Sequence, residues 1–104
     1  MKRQIPSRTQ QDTEAVIASG ERLTIETTAE FVQSIRRGLA GATTVVLEFT
    51  PDVEVDITAL QVFCAACKTA AAEGKKFIYR GSLPPALLDL AAAAGAELHE
   101  ILQQ

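Results

Sequence analysis

Tryptophan is absent from this sequence of 104 residues, and aromatic residues make up only 5 % of it. A chain of this length is expected to form one domain. Because 47 % of the residues are hydrophobic and few of these are aromatic, we expect an aliphatic, alanine-rich core. No apolar run approaches the roughly 20 residues that a membrane-spanning helix needs. The basic N-terminus is not followed by an apolar segment, so we expect no secretory signal and a cytoplasmic location.

Basic residues are few and unevenly placed. Lys2, Arg3 and Arg8 lie within residues 1–11, which contain no acidic residue, whereas the whole chain has a formal charge of -3. We expect residues 1–12 to form a flexible basic tail that precedes a single domain over residues 13–104. An acidic chain without a basic stripe disfavours nucleic acid as a partner.

Residues that commonly catalyse reactions or bind metals are also scarce. His99 is the single histidine, and we find neither a Gly-rich phosphate loop nor a Ser/His/Asp order. We therefore expect no enzyme and no cofactor. Cys64 and Cys67 form a lone CxxC motif inside a helical pattern, without a second pair of ligands. We expect these cysteines to be buried, reduced thiols.

Apolar residues follow strand spacing and helix spacing in turn along the chain. Thr27 and Glu30 are predicted to form the capping box of the first helix. Residues 14–19 and 22–25 are predicted as two short strands joined by a tight turn. The later elements are predicted as a buried strand at 43–49, a helix from Ile57 to Glu73, a strand at 76–79, a helix at 84–94 and a final helical turn. This order predicts an α/β fold, with a central, mixed but mostly parallel sheet of about four to five strands and about four helices.

The second of these helices begins at Asp56-Ile57-Thr58, where a carboxylate and a hydroxyl precede an alanine-rich run. A helical wheel places Thr58 and Gln61 on the outer face. The wheel places the buried face at Ile57, Leu60, Phe63, Cys64, Cys67 and Ala71. The partial positive charge at the helix start favours a phosphate on Thr58. Nearby carboxylates oppose it, and capping alone also explains both Asp56 and Thr58.

Carboxylates are concentrated just before this helix. Four of them lie within nine residues, at Glu48, Asp52, Glu54 and Asp56. Such a cluster is typical of a solvated loop. A divalent cation is the alternative, for which carboxylates at this spacing are weak support.

Two motifs together resemble the STAS domain family, typified by bacterial anti-sigma factor antagonists. They are the buried strand Val45-Val46-Leu47-Glu48-Phe49-Thr50-Pro51 and the helix start Asp56-Ile57-Thr58-Ala59-Leu60, at matching spacing. Gly74-Lys75-Lys76-Phe77 and Ser82-Leu83-Pro84 extend the resemblance over roughly residues 14–100. The resemblance implies a STAS-like fold and a protein switch. In the antagonists, the hydroxyl residue directly after the aspartate is phosphorylated by a partner kinase, which blocks binding. Here that position is Ile57, and Thr58 matches the next one.

The resemblance implies a protein partner and no cofactor. The partner is expected to be an anti-sigma factor or serine kinase, or a chemotaxis-type signalling protein. Its binding residues are expected to be Asp52, Glu54, Asp56, Thr58 and Gln61, with Thr58 as the candidate phospho-acceptor. The alternative is a STAS subunit that stabilises a phospholipid-transporting ABC ATPase. We expect a monomer or a weak homodimer, since an exposed strand edge near the N-terminus permits pairing.

Overall fold

The computed structural model describes residues 13–102, so the predicted tail at residues 1–12 lies outside the described residues. The predicted α/β class is confirmed, because strands and helices follow one another throughout this part of the chain. In chain order the elements are β1 (Glu14–Ala18), β2 (Arg22–Leu23), α1 (Thr28–Gly41), β3 (Thr44–Glu48), β4 (Glu54–Val55), α2 (Ile57–Ala72), β5 (Lys76–Arg80), α3 (Pro85–Ala94) and α4 (Leu98–Ile101).

The strands form two separate parallel sheets. Three of them make the larger sheet in the order β1-β3-β5, whereas β2 and β4 form a pair of their own. The register of this short pair places Arg22 opposite Glu54 and Leu23 opposite Val55. Every strand pair within residues 13–102 is parallel. Parallel neighbours need a crossover connection, and α1 or α2 lies in each of these connections.

The two N-terminal strands do not pair with each other; Gly20, with a φ of 70°, and a bend at Glu21 lie between them. The first strand continues its pairing with β3, since Ser19 N donates to Glu48 O at 2.8 Å. The second strand is drawn to β4 instead, where Glu54 N donates to Glu21 O at 2.9 Å. A bend stands where the tight turn was predicted, and the two strands that the turn was expected to join belong to different sheets.

One face of the larger sheet packs against α1 and α2. Val45 and Leu47 of the central strand are 0 % and 1 % exposed. Phe63 of α2 is fully buried, and its ring meets those of Phe31 and Phe49 edge-on at 6.0 Å. The core is therefore aliphatic with a small aromatic centre. No helix within residues 13–102 is both long and apolar enough to cross a membrane.

The predicted capping box of α1 is wrong, although Thr27 does occupy the N-cap position. Its side chain makes no capping bond. Instead, the Thr27 hydroxyl accepts from Thr24 N at 3.1 Å and donates to Arg22 O at 3.1 Å. The Thr27 hydroxyl is thus hydrogen-bonded within the turn before the helix, and it does not accept the helical N–H that a capping box requires.

The predicted buried face of α2 is only partly right. Its buried residues are Ala59, Leu60, Phe63, Ala66 and Ala70, a stripe rotated by about one residue position from the prediction. Ile57 is 50 % exposed and Ala71 is exposed. Cys64 and Cys67 are free thiols as expected, but they are half-buried rather than buried. The alanines explain the rotation, because small side chains let the helix pack closely on its neighbours.

Candidate functional site

The Asp56 carboxylate caps α2. Asp56 has an extended backbone, and its Oδ1 accepts from the backbone N–H of Thr58 at 2.9 Å. The Thr58 hydroxyl also donates to Oδ1. Two donors of the first turn are therefore satisfied by one oxygen, as at a strong N-cap.

The second oxygen of the same carboxylate reaches a different segment. Asp56 Oδ2 accepts from the backbone N–H of Ile25 at 3.0 Å, although the two residues are 31 positions apart. The backbone N–H of Asp56 in turn donates to Leu23 O at 3.3 Å. The short β2–β4 pair thus brings the loop after β2 against the start of α2, and Asp56 fastens the two together.

These hydrogen bonds lower the pKa of Asp56. The largest cause is the Thr58 hydroxyl, followed by the Ile25 N–H, and partial burial of the carboxyl opposes them. Donors that point at a carboxylate stabilise its ionised form. The site therefore holds a fixed negative charge at neutral pH.

Thr58 is half-buried, and its hydroxyl and its N–H are both engaged with Asp56. The aspartate thus occupies the place that a phosphate would need at the helix start. A phosphate on Thr58 would lose these bonds and would stand beside a second anion. A phosphate on Thr58 would be attracted by the helix start and repelled by nearby carboxylates. The geometry around Thr58 makes the repulsion by Asp56 the larger effect.

The other predicted binding residues lie around this centre. Glu54 is exposed, with its Oε1 3.3 Å from Arg22 Nε. Asp52 is exposed in the turn before β4, and Gln61 is exposed just after the first turn of α2. Glu48 stands apart from them, with its carboxylate 3.8 Å from Arg80. In the part of the chain that the structure describes, no group of three or more His, Cys, Asp or Glu is arranged to hold a metal ion.

Two exposed isoleucines flank Asp56, and the sequence did not identify them as site residues. Ile25 is 69 % exposed in the loop after β2, and Ile57 is 50 % exposed at the start of α2. Ile57 was assigned to the core and Ile25 to a strand. The available signal was the position of Ile25 in the polar run Thr24–Thr27, where a buried isoleucine is not expected.

One comparison with known proteins matches the chain. Residues 7–103 match a family model described as "Mlab, STAS domain", which covers the whole described α/β body. No curated protein and no solved structure matches the chain significantly. The family resemblance inferred from the sequence motifs is thereby confirmed.

Proposed function

Because this chain belongs to the STAS domain family, we propose that it is a small signalling module that binds a regulatory protein. The family is generally involved in anti-sigma factor antagonism or signalling, and its domains generally mediate protein–protein interactions. The proposed partner is an anti-sigma factor or serine kinase, or a chemotaxis-type signalling protein. The role is one of binding rather than catalysis.

The proposed binding surface is the first turn of α2 together with β4. The observation that supports it most directly is the pair of hydrogen bonds that the Asp56 carboxylate accepts. One comes from Thr58 and the other from Ile25, so the two segments lie side by side at the surface. Asp52, Glu54 and Gln61 are exposed around that surface. A surface held in place before binding loses little conformational entropy when a partner docks.

Thr58 is the proposed switch residue. Phosphorylation would add about -1.5 to -2 charge beside the Asp56 carboxylate. Repulsion would then break the bonds between the two side chains and free Asp56 from Ile25. Modification of one hydroxyl would thus alter both segments that form the surface.

Affinity capture with matched baits tests this proposal. The baits are the wild-type protein, Thr58→Glu and Thr69→Glu, each checked for folding by circular dichroism. Thr69 is exposed on the same helix and serves as the control. We expect a regulatory protein, identified by mass spectrometry, on the wild type and Thr69→Glu but not on Thr58→Glu.

Two other results would contradict the proposal. Equal recovery of the same partner on all three baits would make Thr58 a structural cap and not a switch. Stable recovery of a membrane ATPase would favour the alternative role, a subunit that stabilises a phospholipid-transporting ABC system.

A further inference from the structure

Large hydrophobic side chains are exposed at few positions of the described chain. Those at least 46 % exposed are Val16, Ile25, Ile57 and Leu88. Val16 lies on β1 and Leu88 on α3, whereas Ile25 and Ile57 both adjoin Asp56. Half of the exposed apolar residues thus lie at the site already described. Exposed apolar residues that adjoin the same buried or fixed group favour an interaction surface there.

Asp56 fixes the positions of both isoleucines. Its Oδ2 holds the backbone N–H of Ile25 at 3.0 Å, and its backbone leads directly into Ile57, the first residue of α2. Ile25 is the more exposed of the two, at 69 %. Both exposed side chains are therefore attached to backbone that is held by hydrogen bonds, unlike side chains on an unrestrained loop.

An apolar groove begins beside Ile57 and follows α2. Its volume is about 430 Å³. Its apolar lining includes Ile57, Leu60, Cys64, Ala94 and Ala96, and the polar side chains of Gln61 and Lys68 also line it. The small alanine side chains leave room for an incoming aliphatic group. The exposed isoleucine therefore lies next to a space that a partner's side chain can fill.

The two segments that contain the isoleucines are acidic. Residues 21–26 and 52–58 contain five acidic residues and one arginine, a net charge of -4. That arginine, Arg22, is already paired with Glu26 at 3.2 Å and with Glu54 at 3.3 Å. A second copy of this chain would bring the same charge and would be repelled. A partner with Lys or Arg around its contact would be attracted.

We propose that Ile25 and Ile57 form the apolar centre of the docking surface, and that its occupant is a protein surface of aliphatic side chains flanked by Lys or Arg. This inference rests on the proposed function, because it names the partner chemistry of the same site. An apolar centre with a charged rim is the usual arrangement of a protein interface.

A defined peptide tests the proposed chemistry. The probe is a helical peptide of about 18 residues, or five turns, with leucines along one face and lysines beside them. A second peptide replaces each lysine with glutamate. Each peptide is titrated into the full-length protein, and the amide chemical shifts of the protein report both the affinity and the position of binding. We expect the largest shifts at Ile25 and Ile57, and at least about tenfold weaker binding of the glutamate peptide.

Matched variants locate the contact. We expect Ile25→Ser and Ile57→Ser each to weaken binding of the lysine peptide about fivefold or more, as for central interface residues. Leu88→Ser removes a side chain of similar exposure on α3 and is expected to change the affinity by less than about twofold. Each variant is first checked for an unchanged thermal unfolding midpoint.

The outcomes separate this inference from the proposed function. If the lysine peptide fails to bind, binds no better than the glutamate peptide, or shifts Leu88 rather than the isoleucines, the inference is wrong. Even then, the proposed function would stand if the wild type captured a regulatory partner and Thr58→Glu did not.

Discussion

A single carboxylate, that of Asp56, connects two segments that are distant in the sequence. Oδ1 caps α2 through Thr58, and Oδ2 holds the loop after β2 through Ile25. Hydrogen bonds to an ionised acceptor are stronger than those between neutral groups. The contribution of this residue to stability therefore depends on its charge and hence on pH.

The variant Asp56→Asn tests that dependence. Because folding lowers the pKa of Asp56, its contribution is complete above the ordinary carboxyl pKa near 4. It is lost as the pH falls through the lower value of the folded protein. Asparagine does not titrate in this range. We therefore expect the wild type to have the higher free energy of unfolding at pH 7, and the difference to shrink below about pH 4.

Urea unfolding of both proteins at several pH values measures this difference. Other carboxyl groups are common to both chains and cancel in the comparison. A difference that stays constant from neutral to acidic pH would mean that the charge of Asp56 does not strengthen its bonds.

At the scale of elements, periodicity predicted the length of α2 better than its orientation. The predicted helix, Ile57 to Glu73, is within one residue of the observed Ile57–Ala72. Its buried face was misplaced because Ile57 outweighed the alanines in the hydrophobic pattern. Ala59, Ala66 and Ala70 are buried for their small size, which a wheel that ranks residues by hydrophobicity does not reward.

The β2–β4 pair marks where sequence reasoning reached its limit at this site. The sequence predicted a strand at 22–25, which contains β2, but no strand at β4, whose two residues are too few for an alternating pattern to be recognised. The bond between Ile25 and Asp56 depends on this pairing, and neither residue signals the other in the sequence. Asp56 and Thr58 could be predicted as neighbours at a helix start, whereas Ile25 required the tertiary structure.

The contact of α1 with the sheet offers a prediction about packing. A Cβ at Gly38 would lie 3.2 Å from both Ala15 Cβ and Val45 Cγ2, and Val45 is fully buried in the central strand. Alanine gains about 1 kcal/mol in helix propensity over glycine, but overpacking costs about 1–3 kcal/mol. We expect Gly38→Ala to lower the free energy of unfolding by about 1 kcal/mol.

Gly41 of the same helix is the control. A Cβ there meets nothing within 4 Å, so Gly41→Ala is expected to raise the free energy of unfolding by up to about 1 kcal/mol. Urea unfolding measures both variants. If both glycine replacements stabilise the protein equally, the close approach of α1 to the sheet does not limit its packing.

Over the whole molecule, the candidate site is built on a part that is separate from the main sheet. The strands β1, β3 and β5 each have five residues and are held in one sheet, whereas β2 and β4 have two residues each. The loop after β2 also contains the Thr24 hydroxyl, which is buried and has no hydrogen-bond partner among the described residues. An unpaired buried polar group costs free energy. The site is therefore expected to open more readily than the core.

Amide hydrogen exchange tests this expectation. We expect Val46, at the centre of β3 and 0 % exposed, to exchange only on global unfolding. The amides of Glu54 and Asp56, which bond to Glu21 and Leu23, should exchange through local opening, at least about tenfold faster than that of Val46. Equal protection at Val46 and Glu54 would mean that site and core open as one unit. Local opening would instead let a change at Thr58 release the loop that carries Ile25 while the main sheet stays folded, as a protein switch requires.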